Sequence, residues 1–336
     1  MTLMIRSASL TNYVEVAQSV GLAPYRRLAA VGIDRRALLD PDHKLPVSAV
    51  GQLLEDSARA AGAQDLGLRI AESRQLANLG PVALVMRKEP TLRKAVESMS
   101  RYMRLHNEAL LTRVEEVDGL VLIREVLGGP SGGQRQAVEL AVGVLYRILQ
   151  LFLGPSWRPH SICFVHGPPA SMATHRRVFG MPARFNQEFD GIVCRAAELE
   201  VPLPAYDQSM AQQARRHLDS LLAQSSSDMA GQVRQLVIAL LPLGACSVES
   251  IAEQLGVDRR TVHHHLSRKG SSYSHVLNTV REELARSYIS DQERPLSDVA
   301  ALLGFASLSA FSRWFSGEFG CSVTQWRARA RTPRVA

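Results

Sequence analysis

Apolar residues recur every three or four positions in "SAVGQLLEDSARAAG" (Ser48 to Gly62) and "TLRKAVESMSRYMRLH" (Thr91 to His106). That spacing gives a helix one buried face. Thr91, following Pro90, is the expected N-cap of the second helix. The period then changes. "ALLTRVEEVDGLVLIREV" (Ala109 to Val126) alternates apolar and polar residues around Asp118-Gly119, which predicts a hairpin. A long apolar helix is expected over about Gln134 to Leu153, a strand at "SICFVH" (Ser161 to His166) and a short helix at "SMATHRRVFG" (Ser171 to Gly180). Further strand is expected within Phe185 to Cys194. The first 105 or so residues therefore read as mainly helical, and the first two-thirds as one α+β domain with few strands.

"LLAQSSSDMAG" interrupts two helical patterns with a polar break at Ser225 to Ser227. It divides the chain into residues 1–224 and 225–336. Beyond it the pattern is helical throughout, and a short repeat appears. "SVESIAEQLGV" (Ser247 to Val257) recurs 48 residues later as "PLSDVAALLGF" (Pro295 to Phe305), aligning Ile251 with Val299, Ala252 with Ala300, Leu255 with Leu303 and Gly256 with Gly304. Each copy is a short amphipathic helix ended by a glycine suited to a left-handed turn. A second helix follows each, with core positions at Val262 and Leu266, then at Phe311 and Phe315. Helix, glycine turn, helix is the plan of a helix-turn-helix, expected here over about 247–268 and 295–317.

Composition sharpens this picture. The net charge is +7, and a basic, arginine-rich chain suits a polyanionic partner. The four cysteines (Cys163, Cys194, Cys246, Cys321) lie far apart with no C-x-x-C pair, which fits buried thiols in a reducing cytoplasm rather than zinc or disulfides. The N-terminal stretch has no signal-peptide pattern. The most apolar run, "AVELAVGVLYRILQLFLG", is broken by Glu139 and Arg147, so no membrane span is expected.

Within "DRRTVHHHLSRKG" (Asp258 to Gly270) three histidines stand in a row. Adjacent helical positions diverge by about 100°, so His263, His264 and His265 cannot converge on one metal ion. With Val262 and Leu266 facing inward, Arg260, His263 and His264 share the outward sector and His265 flanks the core. This face is read as a DNA contact surface, with Arg259 and Thr261 at the helix start and Arg268 near its end. A solvated polar face is the alternative for any one of them. On the second helix the corresponding positions are Leu308, Ser309, Ser312 and Arg313.

The run "VAALLGFASLSAFSRWFSGEFGCSVTQWR" (Val299 to Arg327) resembles the AraC/XylS family of bacterial transcription regulators. The matching residues are Ala300, Gly304, Phe305, Phe311, Ser312, Arg313, Phe315, Phe319, Gly320, Ser322 and Arg327; Val323 stands where the family usually has proline. The family's groove-facing positions fall on Arg260, His263 and His264. The first 200 residues ("NLGPVALVMRKEPTLRKAV", "RQAVELAVGVLYRI") resemble the family's arabinose-binding-like effector domains. The resemblance implies a sensing and dimerising first domain and a DNA-binding second domain that also touches RNA polymerase. Double-stranded DNA, a small-molecule effector, RNA polymerase and a second copy of the chain are the expected partners. No cofactor or metal is expected.

Asn78, Arg101, His106, Asn107 and His166 are candidate effector contacts, although structural roles compete at each. A constitutive dimeric DNA-binding protein is one alternative reading, and an enzyme with an N-terminal active site is another. Against the enzyme, the chain has no phosphate-cradling glycine loop and no metal-ligand spacing, and Glu115, Glu116 and Asp190 form no evident pair with a base.

Overall fold

The computed structural model describes residues 2–128, 134–225, 229–244, 246–255, 257–290 and 295–331. They group into two compact units, one holding residues 2–127 and 134–224, the other the residues from Ser225 on.

In the first unit β1 (Met4–Arg6) pairs antiparallel with β2 (Lys44–Pro46), with α1 (Tyr13–Ser19) and α2 (Pro24–Ala30) between them. Helices α3 (Val47–Ala61), α4 (Leu66–Glu72), α5 (Pro81–Lys88) and α6 (Leu92–His106) follow. Thr91 caps α6 by accepting the Lys94 N–H. Strands β1 and β2 were not anticipated, since three-residue strands are too short to show a period.

The Asp118-Gly119 hairpin forms as expected. β3 (Leu110–Val117) and β4 (Leu120–Leu127) meet through two residues of positive φ, 52° and 76°, the geometry of a two-residue type I′ turn. After α7 (Arg135–Leu153) come β5 (Ser161–Cys163), α8 (Ala173–Phe179), β6 (Gly191–Arg195), α9 (Ala196–Leu199) and α10 (Gln208–Ser225). The sheet order is β3-β4-β6-β5, every pair antiparallel. The strand expected from Ser161 ends at Cys163, and the one expected within 185–194 forms from Gly191 to Arg195.

Alternation along β4 turns Val121, Ile123 and Glu125 to the buried side. Helix α7 packs on that sheet and closely against α4; a Cβ on Gly67 would overlap the Gln136 carbonyl. By length and composition α7 could cross a membrane, but Leu145, Tyr146, Ile148 and Leu149 are buried in the first unit's core. Its Glu139, which interrupts the apolar run, is fully buried, with one carboxylate oxygen 3.2 Å from both Arg135 Nε and His175 Nε2. Helix α10 is tied down by buried Glu89, whose carboxylate accepts from Arg215 and Ser98.

The regular elements of the second unit, among the described residues, are helices: α11 (Met229–Leu240), α12 (Val248–Leu255), α13 (Arg259–Arg268), α14 (Tyr273–Ser290), α15 (Leu296–Leu302), α16 (Leu308–Phe319) and α17 (Val323–Arg331). Its core gathers Val237, Ile251, Val262, Leu266, Val280, Val299, Phe311 and Phe315, each fully or nearly fully buried.

Candidate nucleic-acid interface

The two halves of the repeat, α12–α13 and α15–α16, are both helix-turn-helix units. In the first, the Asp258 carboxylate caps α13 by accepting the Thr261 N–H at 2.7 Å. Backbone N–H groups thereby hold the Asp258 carboxyl below its ordinary range. Val262 and Leu266 are fully buried and fix the rotation of α13 about its axis. Arg260, His263, His264 and Arg268 consequently face solvent, and His265 is half-buried. The His264 and His265 rings lie 6.0 Å apart and nearly perpendicular. Among the described residues, no group of three His, Cys, Asp or Glu side chains is placed to hold a metal ion.

Arg259 differs from its neighbours. Its guanidinium donates to Glu249 on α12 at 2.9 Å, and both side chains are exposed. Backbone hydrogen bonding at the start of α12, together with this arginine, holds the Glu249 carboxyl below its ordinary value. Arg259 thereby links the start of α13 to α12 across the turn. Thr261 is half-buried. Gly256 of the first turn lies outside the described residues.

In the second motif Gly304 has φ +67°, and a Cβ there would stand 2.9 Å from a Leu241 methyl. The positive φ is what favours glycine there. The Ser307 hydroxyl caps α16 by accepting the Ala310 N–H at 3.2 Å. Phe311 and Phe315 are fully buried; Leu308, Ser309 and Arg313 are exposed, while Ser312 is half-buried. Trp314 joins an aromatic cluster with Phe305, Phe311 and Phe319. Val323 opens α17, and the helix start is secured by a reciprocal pair: Ser322 accepts the Gln325 N–H, and Gln325 accepts the Ser322 N–H. The cap does what a proline's fixed φ would do at that position.

Two positioning residues had not been singled out. Arg281 on α14 lies over the Phe305 ring at 4.2 Å and donates to the Leu303 and Gly304 carbonyls, closing the end of α15. Arg286 covers Phe319 at 4.9 Å. Local spacing holds no signal for either; the Ser322 and Gln325 pair was findable from its three-residue interval.

The candidate effector residues divide. Asn78, His106 and Asn107 line one cavity in the first unit, whereas Arg101 and His166 do not. Arg101 is exposed and pairs with Asp219 at 3.0 Å. His166 lies 3.5 Å from Glu139, its ring against Phe164 and Phe185. Burial, then Arg6, Arg74 and Lys44, push the His106 imidazole down to about 3, so it is neutral at physiological pH.

A family model described as the arabinose-binding N-terminal domain of AraC transcription regulators matches residues 21–203, over half of the chain. The chain belongs to this AraC family. A helix-turn-helix domain model matches residues 251–329. The HTH-type transcriptional regulator VirS of Mycobacterium tuberculosis is 28% identical over 328 residues, covering 97% of this chain and 96% of that protein. The ornithine utilization regulator of Pseudomonas aeruginosa is 27% identical, covering 86% of this chain and 89% of that protein. Among solved structures, the transcriptional regulator CdpR of Pseudomonas aeruginosa aligns over 91% of this chain and 96% of its own, at 18% identity and a TM-score of 0.44. This AraC-family chain is a helix-turn-helix, DNA-binding transcription regulator with an effector-domain-type N-terminal half.

Proposed function

We propose that this regulator reads double-stranded DNA with α13 and α16 in successive major-groove faces, about 34 Å apart along one side of the duplex. In this reading Arg260, His263 and His264 contact base edges, Arg268 contacts phosphate, and Arg259 and Thr261 hold the start of α13. Arg313 reads bases from α16, flanked by Leu308, Ser309 and Ser312. The observation that carries the reading is the outward face of α13. It places Arg260, His263, His264 and Arg268 together in solvent. Arginine can grip guanine O6 and N7 bidentately, and imidazole N–H can donate to the same edge.

Residues 1–224 form the effector-binding and dimerising half in this account, and residues 225–336 the DNA-binding half. A small molecule in the first half changes how the second engages DNA. The protein acts in the cytoplasm as an activator that also contacts RNA polymerase. A thermal-shift screen with cell metabolites tests the sensing part: a saturable stabiliser that also alters DNA affinity is expected. If every stabilising metabolite leaves DNA binding unchanged, a constitutive regulator replaces this reading.

A further inference from the structure

Behind the candidate effector residues, the first unit contains a cavity of about 90 Å³. Its wall is largely apolar, with Leu54 from α3, Met99 and Met103 from α6, and Leu140, Leu145 and Ile148 from α7. One water needs only about 10–15 Å³ by a comparable measure, so the space can take several carbon atoms, and such a wall favours hydrocarbon over water. Glu125 closes part of this wall with its carboxylate held by the Thr112 hydroxyl at 3.0 Å. Burial pushes its carboxyl up to about 8, so it is largely protonated at neutral pH and this wall carries little charge.

A cleft of about 410 Å³ adjoins the cavity, and the two share Arg74, Gln75, Val144 and Ile148 as lining residues. Two further arginines, Arg87 and Arg147, line the cleft, and no acidic residue does. Four other exposed arginines of this unit have carboxylate partners: Arg59 with Asp56, Arg101 with Asp219, Arg177 with Glu72 and Arg195 with Glu198. Arg87 and Arg147 are exposed and form no ion pair with a described residue. Arg74 stands at the junction, only 4% exposed. Two of its nitrogens donate to the Ala8 and Ser9 carbonyls, its Nε has no partner, and the nearby Ser9 hydroxyl is also buried without one. A buried cation with a spare donor, beside two unpaired surface cations and an apolar chamber, is complementary to an acid with a hydrocarbon tail.

We propose that cleft and cavity form one binding site for an anionic amphiphile, its acidic head held by Arg74, Arg87 and Arg147 and its aliphatic tail in the chamber lined by Met99, Met103 and Leu140. This rests on the effector-responsive reading above and names the class of ligand. Calorimetric titration of the full chain with octanoate, octanol and inorganic phosphate tests it. Saturable octanoate binding is expected, with octanol and phosphate at least tenfold weaker. The double variant Arg87→Ala/Arg147→Ala, altered only at exposed positions, should lose at least tenfold in octanoate affinity with an unchanged unfolding midpoint. Ala141→Leu, which narrows the chamber, should weaken octanoate and leave phosphate unaffected.

Absence of octanoate binding by the folded chain would overturn the proposal. So would octanol or phosphate binding as tightly, or the double variant binding as well as the parent. Tighter binding of 8-aminooctanoate than of octanoate would place a charge at Glu125 and overturn the apolar-tail assignment. Repeating DNA binding with octanoate present separates the two readings: binding without an effect on DNA affinity supports the site and removes the effector role.

Discussion

Two buried side chains decide which way the histidine triplet faces. Val262 and Leu266 are fully buried, so His263 and His264 must face solvent with Arg260. That division was legible in the sequence because helical period is a local property. The Arg259–Glu249 bridge was not, because it joins two helices through a turn whose geometry no residue count supplies. Glu125 falls between these cases: its alternation with Val121 and Ile123 was readable, but the register that sets Thr112 opposite it was not. Glu125 also yields a pH prediction. Its carboxyl moves from 4.5 to about 8 on burial. Between those values the unfolded chain has released a proton that the folded chain keeps, so stability falls as pH rises from about 4.5 to about 8. Glu125→Gln should flatten that fall, read from the denaturant midpoint of the first unit at pH 5 and pH 8. The Ser307 cap gives a simpler expectation. Ser307→Ala should cost about 1 kcal/mol in chemical unfolding and weaken binding through α16.

At the scale of elements, both helix-turn-helix units were readable because a repeat states the same pattern twice. The Asp118-Gly119 hairpin was readable because only a few residue types tolerate two consecutive positive φ angles. Strands β1 and β2 were hidden, since they gain their order from each other across some 40 residues rather than from any local pattern. Gly304 was legible as a turn residue, but its contact with Leu241 was not. Gly304→Ala should therefore destabilise the second motif by about 1–3 kcal/mol from the backbone alone. Its melting midpoint should fall further than that of Ser307→Ala. Likewise, Arg281→Ala should loosen the end of α15 and lower DNA affinity, although Arg281 faces the Leu303 and Gly304 carbonyls rather than a groove.

For the whole molecule, a basic chain that reads DNA with α13 and α16 as proposed should bind through two separable contributions. Phosphate neutralisation makes affinity fall linearly with the logarithm of salt concentration, and base contacts add a preference that survives it. Arg268→Ala should reduce the salt slope by about one unit with base preference intact, as measured by titrations at several salt concentrations. Arg260→Ala should do the reverse. The central claim is that the outward face of α13 reads sequence, and selection of binding sites from a random duplex library by the parent chain and by Arg260→Ala tests it most directly. The parent should enrich a defined motif, and the variant should lose preference at one base position while retaining the rest. A parent that enriches no motif, or a variant that enriches an identical one, would contradict the account.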